Sequence, residues 1–397
     1  DGKGMRILHV VPSYLPAWRY GGPIRSVHGL AAAQAALGHQ VEVFTTDADG
    51  AKRLAVPTDR PVDRDGVAVH YFRGAFPRRL YRSPGLARAC RERLRELDVA
   101  HLHSVFLLPT RVAARAARRA GVPYLVAPRG MLVPELIRGR GRWRKRFWLH
   151  LFDRRTLSGA AAIHVTSRIE GTDAARVVLS LPPRVVLPNG IAAEELTRPT
   201  PARPPCLAPL GEAPYALFLG RLSWKKRLDR LVAAIPLAPP ELHWVVAGND
   251  DEGLIPRLEA QAWGLGVAAR LHFTGEVHGE EKAALLGNAL ALVLPSRSEN
   301  FGIVVLESLA AGRPVVVTPG VGLAPEVREG CGLVVEPEPA ALAAAVARLH
   351  AEPAAATWMG TTGRALVAER FTWEAVARQS LTIYEEILAR APGRERE

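Results

Sequence analysis

The chain has 397 residues, of which 48% are apolar and 23% charged, a composition typical of a globular protein large enough for two domains. No apolar run approaches the length that crosses a bilayer. The three cysteines lie far apart and match no metal-binding or redox spacing. This excludes a disulfide framework and favours a reducing cytoplasm.

The positive charge belongs to the first half of the chain. Residues 1–195 contain 32 Lys and Arg against 16 Asp and Glu, residues 196–397 contain 20 against 23, and the net charge is +13. Codon bias or growth temperature explains the excess of arginine without any function. The alternative is an anionic partner of the first half, such as a membrane surface or an acidic acceptor.

The first half alternates strands and helices. RILHVV at 6–11 predicts a strand, a loop with Gly21 and Gly22 follows, and a helix is predicted over about 23–37. The next predicted strand is VEVFTT at 41–46. Because this alternation recurs as far as YLVAP, the sequence predicts a parallel sheet with crossover helices.

A second series of elements starts after a proline-rich stretch. Residues 197–214 hold too many prolines for a helix or a central strand and predict a linker. The alternation resumes with YALFLGRL at 215–222. The chain is therefore predicted to be an α/β protein with two Rossmann-like domains, 5–195 and 196–370, whose parallel sheets face a central ligand-binding cleft.

Two basic or glycine-rich loops are candidates for binding a phosphorylated ligand. In GRLSWKKR, Arg221 and Lys226 follow a strand and precede a helix, a position where two cations suit a diphosphate. Gly21 and Gly22 would let the backbone approach a phosphate closely. They lack the G-x-G-x-x-G spacing of a dinucleotide fold. A solvated charge cluster and an ordinary turn are the respective alternatives.

A third candidate is the stretch SENFGIVVLE. It places Glu299 and Glu307 eight positions apart on what is predicted to be a single helix, about 12 Å along its axis. Each carboxylate can bind the hydroxyls of a different sugar, while the backbone amides of Asn300, Phe301 and Gly302 lie at the helix N-terminus. A solvated carboxylate pair is the alternative. Together the three candidates favour a nucleotide sugar as ligand.

A fourth candidate concerns a membrane. Residues 138–155, RGRGRWRKRFWLHLFDRR, interleave basic with apolar side chains at helical spacing, a composition typical of an interfacial membrane helix. The alternative is a surface helix that packs its apolar stripe on the first domain. The membrane interpretation implies a lipid-linked glycan or glycolipid as acceptor.

The whole chain resembles a retaining glycosyltransferase of family 4 with the GT-B fold. The motifs that carry the resemblance are Gly220-Arg221-Leu222 with Lys226, and SENFG at 298–302 followed by Glu307 in a Glu-x7-Glu pattern. FTWEAVARQSLTIYEEIL resembles the last helix of the family, which implies that residues 371–397 return to the first domain.

The resemblance implies a role for each candidate residue. Arg221 and Lys226 would hold the donor diphosphate, Glu299 and the amides after it would contact the donor sugar, and Glu307 would bind the ribose. Gly21 and Gly22 would approach the diphosphate from the other domain. The implied reaction moves a hexose from a nucleoside-diphosphate sugar to a hydroxyl with retention at the anomeric carbon. Arg221, Lys226 and Glu299 are its catalytic group, and no metal or other cofactor is expected.

The sequence departs from the family pattern on the acceptor side. Arg129 occupies the position of a frequent histidine, so it is predicted to bind an anionic acceptor group because guanidinium cannot act as a base. His103 is a possible substitute for that histidine or a packing residue. Arg227 replaces a usual glycine. Two Asp-x-Asp triplets, 47–49 and 63–65, are interpreted as loop carboxylates and not as metal ligands.

Rival classes of function also follow from these features. A basic nucleic-acid-binding or membrane-surface protein would explain the charge, and a sugar-nucleotide epimerase would share the fold. The glycosyltransferase interpretation explains more of the motifs. It predicts a cytoplasmic enzyme of polysaccharide and cell-envelope synthesis, peripheral at the inner face of the membrane, without a nucleic-acid partner.

Overall fold

The computed structural model describes residues 4–17, 22–50, 52–134, 137, 142–178 and 180–390, with the backbone alone at 142, 144, 146 and 150. Their contacts divide the chain into two compact units. Unit 1 is 1–190 with 373–397, and unit 2 is 191–372. The division falls between Gly190 and Ile191, whereas the sequence was divided after residue 195.

Unit 1 is built on an eight-stranded sheet in the order β10-β9-β8-β7-β1-β2-β6-β5. All neighbours are parallel except β5, which is antiparallel to β6. A separate antiparallel pair is formed by β3 and β4. The strands are β1 Arg6–Val10, β2 Gln40–Thr46, β3 Ala48–Asp49, β4 Lys52–Arg53, β5 Val62–Arg64, β6 Val67–Phe72, β7 Val99–His103, β8 Tyr124–Ala127, β9 Ala162–Val165 and β10 Arg184–Val186.

Helices cover both faces of this sheet, because its central strands carry apolar side chains on both sides. One apolar cluster joins the sheet to α1 and α15, and another joins it to α2 and α3. The helices of unit 1 are α1 Gly22–Ala36, α2 Pro84–Arg93, α3 Leu108–Ala120, α4 Arg142–Trp148, α5 Arg154–Ser158, α6 Arg168–Val177 and, from the end of the chain, α15 Trp373–Arg390.

Unit 2 has a six-stranded, fully parallel sheet in the order β13-β12-β11-β14-β15-β16. Its strands are β11 Tyr215–Leu219, β12 His243–Ala247, β13 Leu271–Gly275, β14 Ala291–Leu294, β15 Val315–Val317 and β16 Gly332–Val334. Its helices are α7 Glu194–Thr197, α8 Leu228–Ala234, α9 Ile255–Gly264, α10 Gly279–Asn288, α11 Ile303–Ala310, α12 Ala324–Val327, α13 Pro339–Ala351 and α14 Pro353–Arg370.

The proline-rich stretch 197–214 is not a free linker. It contains a 3-10 turn, Pro205–Leu210, and Leu207 and Leu210 are buried in the core of unit 2. The interpretation of the two Asp-x-Asp triplets as loop carboxylates is also partly wrong, because Asp49 lies in β3 and Asp63 in β5. No helix among the described residues is long and apolar enough to span a membrane.

Candidate functional site

Two loops of unit 2 lie side by side because the strands before them are neighbours in the sheet. β11 and β14 pair in parallel, so both of their carboxyl ends point to the same edge. After β11 come Gly220 and Arg221, and after β14 comes the loop 295–302. The Arg297 amide donates to the Lys225 carbonyl at 2.8 Å and ties the loops together. This edge therefore gathers most of the predicted donor-binding residues.

Lys226 and Glu299 form an ion pair between Nζ and Oε2. Their side chains keep 17% and 24% exposure, so a ligand can reach both. Arg221 is exposed and makes no ion pair or hydrogen bond with the residues that the structure describes. An anionic group bound to Lys226 therefore lies beside Glu299, and the same loop carries the exposed cation of Arg221.

The residue after Lys226 has a backbone conformation that favours glycine. Arg227 adopts φ +52°, in the left-handed region that favours glycine. Its guanidinium makes two hydrogen bonds of 3.0 Å to Asp229. This pairing holds Arg227 against unit 2 and leaves Lys226 as the loop cation next to Glu299.

Glu299 does not lie on a helix, so the prediction of one helix with both glutamates is wrong. α11 begins only at Ile303, because Gly302 has φ +90° and interrupts the helical path. Glu299 instead pairs with Val321 as a parallel bridge, with its amide donating to Gly320 O and its carbonyl accepting from Gly322. The estimate of 12 Å along a helix does not apply.

The backbone around Glu299 is tightly packed. A side chain at Gly322 would overlap the Asn300 carbonyl oxygen, so only glycine lets the two segments meet. Phe301 is buried against Phe371, with ring centroids 6.4 Å apart, which leaves the Phe301 backbone and not its ring for a ligand. The loop is thus a rigid support for the Glu299 carboxylate.

Glu307 lies on α11 and is paired with Lys282 of α10. The distance from Lys282 Nζ to Glu307 Oε1 is 2.6 Å, and the two side chains are 26% and 21% exposed. The other carboxylate oxygen has no hydrogen bond to the described residues. Lys282 fixes the carboxylate while that oxygen stays free to accept from a hydroxyl. Sequence reasoning missed Lys282, although a half-buried acid on an apolar helix signals that a cation lies nearby.

The glycine pair of unit 1 is described only in part. Gly21 lies outside the described residues. Gly22 is the first residue of α1, and a Cβ added to it would meet nothing within 4 Å. The described part of unit 1 thus leaves open space at the N-terminus of α1, where backbone amides favour an anion.

Arg129 and His103 meet at the carboxyl ends of β8 and β7. The Arg129 Nη2 donates to His103 Nδ1 at 3.3 Å and Nη1 donates to Asn189 Oδ1 at 3.0 Å. Burial lowers the pKa of Arg129 to about 10, against the raising effect of Glu170, so it stays a cation at neutral pH. His103 is fully buried and reaches the sheet edge only through Arg129.

Sequence reasoning missed three further histidines in the same sheet. His9 of β1, His101 of β7 and His164 of β9 are buried. Burial lowers the pKa of His9 to about 4 and that of His164 to about 3, and it lowers the pKa values of His101 and His103 well below their ordinary value. The signal was polar side chains inside apolar parallel strands, which must find partners.

The segment 142–153 carries exposed apolar side chains. Residues 138–141 of the predicted membrane stretch lie outside the described residues. α4 continues into a π-helical turn, Leu149–Asp153, and Trp143, Phe147 and Leu151 are 69%, 62% and 50% exposed. Phe152 packs inward beneath Arg111, whose guanidinium carbon lies 4.2 Å from the ring centroid. Three large apolar side chains of this segment are thus exposed to solvent.

Two family models match the chain in succession. Residues 21–190 match a glycosyl transferase 4-like domain and residues 207–366 match glycosyl transferases group 1. A D-inositol 3-phosphate glycosyltransferase of Streptomyces bingchenggensis is 34% identical over 209 residues, 49% of this chain and 46% of that protein. An uncharacterized glycosyltransferase of Methanocaldococcus jannaschii is 33% identical over 172 residues, 42% of this chain and 44% of that protein. The matches span about half the length of these curated relatives.

Solved structures show the same fold. HepE of Anabaena, in complex with UDP and glucose, superposes with a TM-score of 0.71 at 19% identity, over 96% of this chain and 100% of that one. The sucrose-phosphate synthase of Thermosynechococcus elongatus gives 0.71 at 23%, over 96% and 99%. With a family model on each half and this fold throughout, the chain belongs to the GT-B-fold glycosyltransferases of family 4.

Proposed function

We propose that this glycosyltransferase moves a hexose from a nucleoside-diphosphate sugar to a hydroxyl of a glycan or lipid-linked acceptor, with retention and without a metal. The observation that carries the proposal is the Lys226–Glu299 ion pair, formed by a loop that also holds the exposed Arg221. A diphosphate against the two cations puts the attached sugar next to the carboxylate. The bound UDP-glucose of HepE supports the same class of donor.

The proposed step breaks the bond between the anomeric carbon and the diphosphate oxygen. The acceptor hydroxyl attacks from the same face, and its proton passes to the departing diphosphate. Negative charge grows on that diphosphate, and fixed cations stabilise it more in the transition state than in the ground state. Arg221 and Lys226 supply this charge. Glu299 orients the hexose hydroxyls and need not be a nucleophile.

The test of this reaction is slow hydrolysis of the donor in a chelating buffer. Proton NMR of the first sugar released, before it mutarotates, should show the anomeric configuration of the donor. The rate of release should stay the same when Mg²⁺ is added in excess of the chelator. Release of the inverted anomer would contradict retention. Dependence of the rate on Mg²⁺ would contradict metal independence.

Replacement of each of the two glutamates by alanine should affect a different property, nucleotide binding for Glu307 and turnover for Glu299. Glu307→Ala removes the acceptor of the ribose hydroxyls and leaves Lys282 unpaired, so we expect nucleotide binding to weaken about tenfold or more. Glu299→Ala should lower kcat about 100-fold with a smaller effect on nucleotide affinity. Calorimetric titration and initial rates measure the two quantities. Glu280→Ala, an exposed acid on α10, is the control, and equal small effects of both variants would refute the assignment.

We also propose that the segment 142–153 docks on the membrane that holds a lipid-linked acceptor. Its exposed Trp143, Phe147 and Leu151 are suited to the boundary between headgroups and acyl chains. The interleaved arginines and lysine favour anionic lipids. This implies a peripheral enzyme at the inner face of the membrane, in polysaccharide or cell-envelope synthesis.

Replacement of these three apolar residues by serine should abolish co-sedimentation with vesicles that contain anionic lipid. Each large side chain adds roughly 1.5–3 kcal/mol when it is buried, so losing all three removes most of the binding. Donor hydrolysis should not change. Trp263→Ser is the control, because Trp263 is 80% exposed in unit 2. Unchanged co-sedimentation of the triple variant would contradict the membrane proposal.

A further inference from the structure

Four buried histidines of unit 1 belong to one continuous hydrogen-bond chain. Both ring nitrogens of every one of them have a partner. From one end to the other the members are Arg129, His103, His9, Gln34, Tyr384, His101, His164 and the carbonyl of Leu187, at donor–acceptor distances of 3.3, 3.0, 2.8, 3.3, 2.7, 2.9 and 2.8 Å. The chain therefore joins α15, through Tyr384, to Arg129 at the edge of the sheet.

The Leu187 end of the chain fixes two tautomers. A carbonyl only accepts, so His164 Nε2 carries a proton and donates it. His164 Nδ1 is then an acceptor, and His101 Nε2–H donates a hydrogen bond to it at 2.9 Å. His101 Nδ1 in turn accepts from the Tyr384 hydroxyl at 2.7 Å. Both rings are neutral and protonated at Nε2.

Ser380 fixes the other half of the chain. Its hydroxyl proton is donated to Ala377 O at 2.7 Å, so its oxygen accepts from the Gln34 amide nitrogen at 2.8 Å. The Gln34 amide oxygen must then face His9 and accept from its Nε2. It follows that His9 Nδ1 accepts from His103 Nε2. His103 Nδ1 is left to accept from Arg129.

Every hydrogen bond of the chain is thus donated in the same direction, from Arg129 towards the Leu187 carbonyl. The Nε of Arg129 is buried without a hydrogen-bond partner, and the described residues offer its guanidinium no ion pair. Glu170, whose charge raises the pKa of Arg129, instead accepts hydrogen bonds from Gly130 N, Thr166 N and the Thr166 hydroxyl. A partly buried cation with no directly paired carboxylate is stabilised when a ligand supplies that charge.

We propose that this chain holds the Arg129 guanidinium in place to bind an anionic group, a phosphate or a carboxylate, of the acceptor. The inference rests on the proposed transferase function. It makes Tyr384 and Gln34 positioning residues of the acceptor site, although neither contacts the acceptor. It also assigns each of the four histidines a single tautomer.

A metal ion is the competing explanation of the cluster. The ring nitrogens of His9, His101 and His103 lie within 4.8 Å of one another, close enough to hold an ion. Each neutral ring has one nitrogen lone pair, however, and in this chain each of these lone pairs already accepts a hydrogen bond. A divalent cation would break three of these bonds and lie near the Arg129 guanidinium. A hydrogen-bond chain therefore explains the four histidines better than a metal site does.

The first test is long-range proton–nitrogen NMR of the full chain labelled with ¹⁵N-histidine. All four buried rings should show a protonated Nε2 and an unprotonated Nδ1 at neutral pH. One ring of the four with its proton on Nδ1 would overturn the chain, and so would stoichiometric zinc in the purified protein that His9→Gln abolishes. The tautomer measurement uses the native protein and requires no substrate.

The second test is a titration with inorganic phosphate after the donor site has been saturated with a nucleotide that binds. Phosphate should shift the His103 signals in the native protein and not in Arg129→Gln. Tyr384→Phe should weaken phosphate binding about tenfold while nucleotide affinity stays the same. Tyr124→Phe is the matched control. Tyr124 is also a buried tyrosine of unit 1, but its hydroxyl donates to the Thr156 carbonyl and lies outside the hydrogen-bond chain. The Tyr124→Phe variant should bind phosphate like the native protein.

The outcomes separate this inference from the proposed function. If no nucleotide binds, the transferase proposal fails. The NMR measurement of the four histidine tautomers then still tests the hydrogen-bond chain by itself. If a nucleotide binds and phosphate affinity is equal in the native protein and in Arg129→Gln, the anion site is overturned. If Tyr384→Phe and Tyr124→Phe weaken phosphate binding equally, Tyr384 has no positioning role.

Discussion

Removal of both donor-site cations should nearly abolish transfer. We expect Arg221→Ala and Lys226→Ala each to lower kcat/KM by about 100-fold, and the double variant by about 1,000-fold. The physical reason is that both cations stabilise charge that appears on the diphosphate as the sugar leaves. The loss of kcat/KM in the double variant should be smaller than the product of the two single losses. In each single variant the remaining cation can move towards the diphosphate and offset part of the loss.

Two controls separate this effect from a loss of charge or of folding. Lys225→Ala removes the neighbouring lysine, whose ammonium lies 5.8 Å from the centre of the Trp224 ring, and should change kcat/KM less than threefold. Lys226→Ala also leaves Glu299 without its ion-pair partner. A Lys226→Ala/Glu299→Gln double variant removes that unpaired charge. If its kcat recovers to the native value, Lys226 only supports the loop and does not stabilise the leaving group.

Mild acid should destabilise unit 1 strongly. The folded state holds His9, His101, His103 and His164 neutral, with pKa values of about 4 for His9 and about 3 for His164, whereas an unfolded histidine has a pKa near 6.5. Below pH 6.5 the unfolded chain therefore binds more protons, and the free energy of unfolding falls as the pH falls. At pH 5 His9 and His164 each contribute roughly 2 kcal/mol to this loss, and His101 and His103 act in the same direction.

The hydrogen-bond chain gives this loss a structural cause. A proton added to any Nδ1 would face a donor instead of an acceptor, for example His103 Nδ1 against the Arg129 guanidinium. Asp153 stabilises the folded state as the pH falls, because burial raises its pKa to about 6. This single group offsets only part of the loss from the four histidines. Partly buried His243 and His272 of unit 2, whose pKa values burial lowers, add to the loss of stability in acid.

Denaturant midpoints measured at pH 7 and pH 5 test this expectation. The midpoint should fall by an amount that corresponds to several kcal/mol, and the imidazole signals of the four rings should stay in their neutral form in the folded protein at pH 5. A folded protein in which these rings titrate near pH 6.5 would contradict the account. The acid loss would then require another origin.

The sequence predicted the strands and helices well where apolar runs were long. β1 and β2 and the helix between them lie within a residue of their predicted bounds, because burial on both faces of a parallel sheet leaves a clear pattern. The start of α11 was missed. Whether Gly302 continues a helix or adopts φ +90° depends on the bridge between Glu299 and Val321, a tertiary contact that local sequence does not contain.

The candidate site was predicted where its chemistry lies in short motifs and missed where it depends on distant contacts. Lys226 and Glu299 are predicted from short motifs to contact a diphosphate and a sugar, which stays a prediction, and the structure shows that they form an ion pair. Lys282 was missed because its partner is 25 residues away. His101 meets Tyr384 across 283 residues, and only the packing of α15 in unit 1 brings them together.

The central claim is that unit 2 binds a nucleoside diphosphate through Arg221 and Lys226 without a metal. The most direct measurement is the unfolding midpoint of the protein in EDTA with UDP, GDP, ADP or dTDP. A ligand that binds only the folded state raises this midpoint by mass action. The account predicts that one of the four nucleotides raises it selectively and that Arg221→Ala/Lys226→Ala loses the rise. The same midpoint with all four nucleotides, in a folded protein, would contradict it.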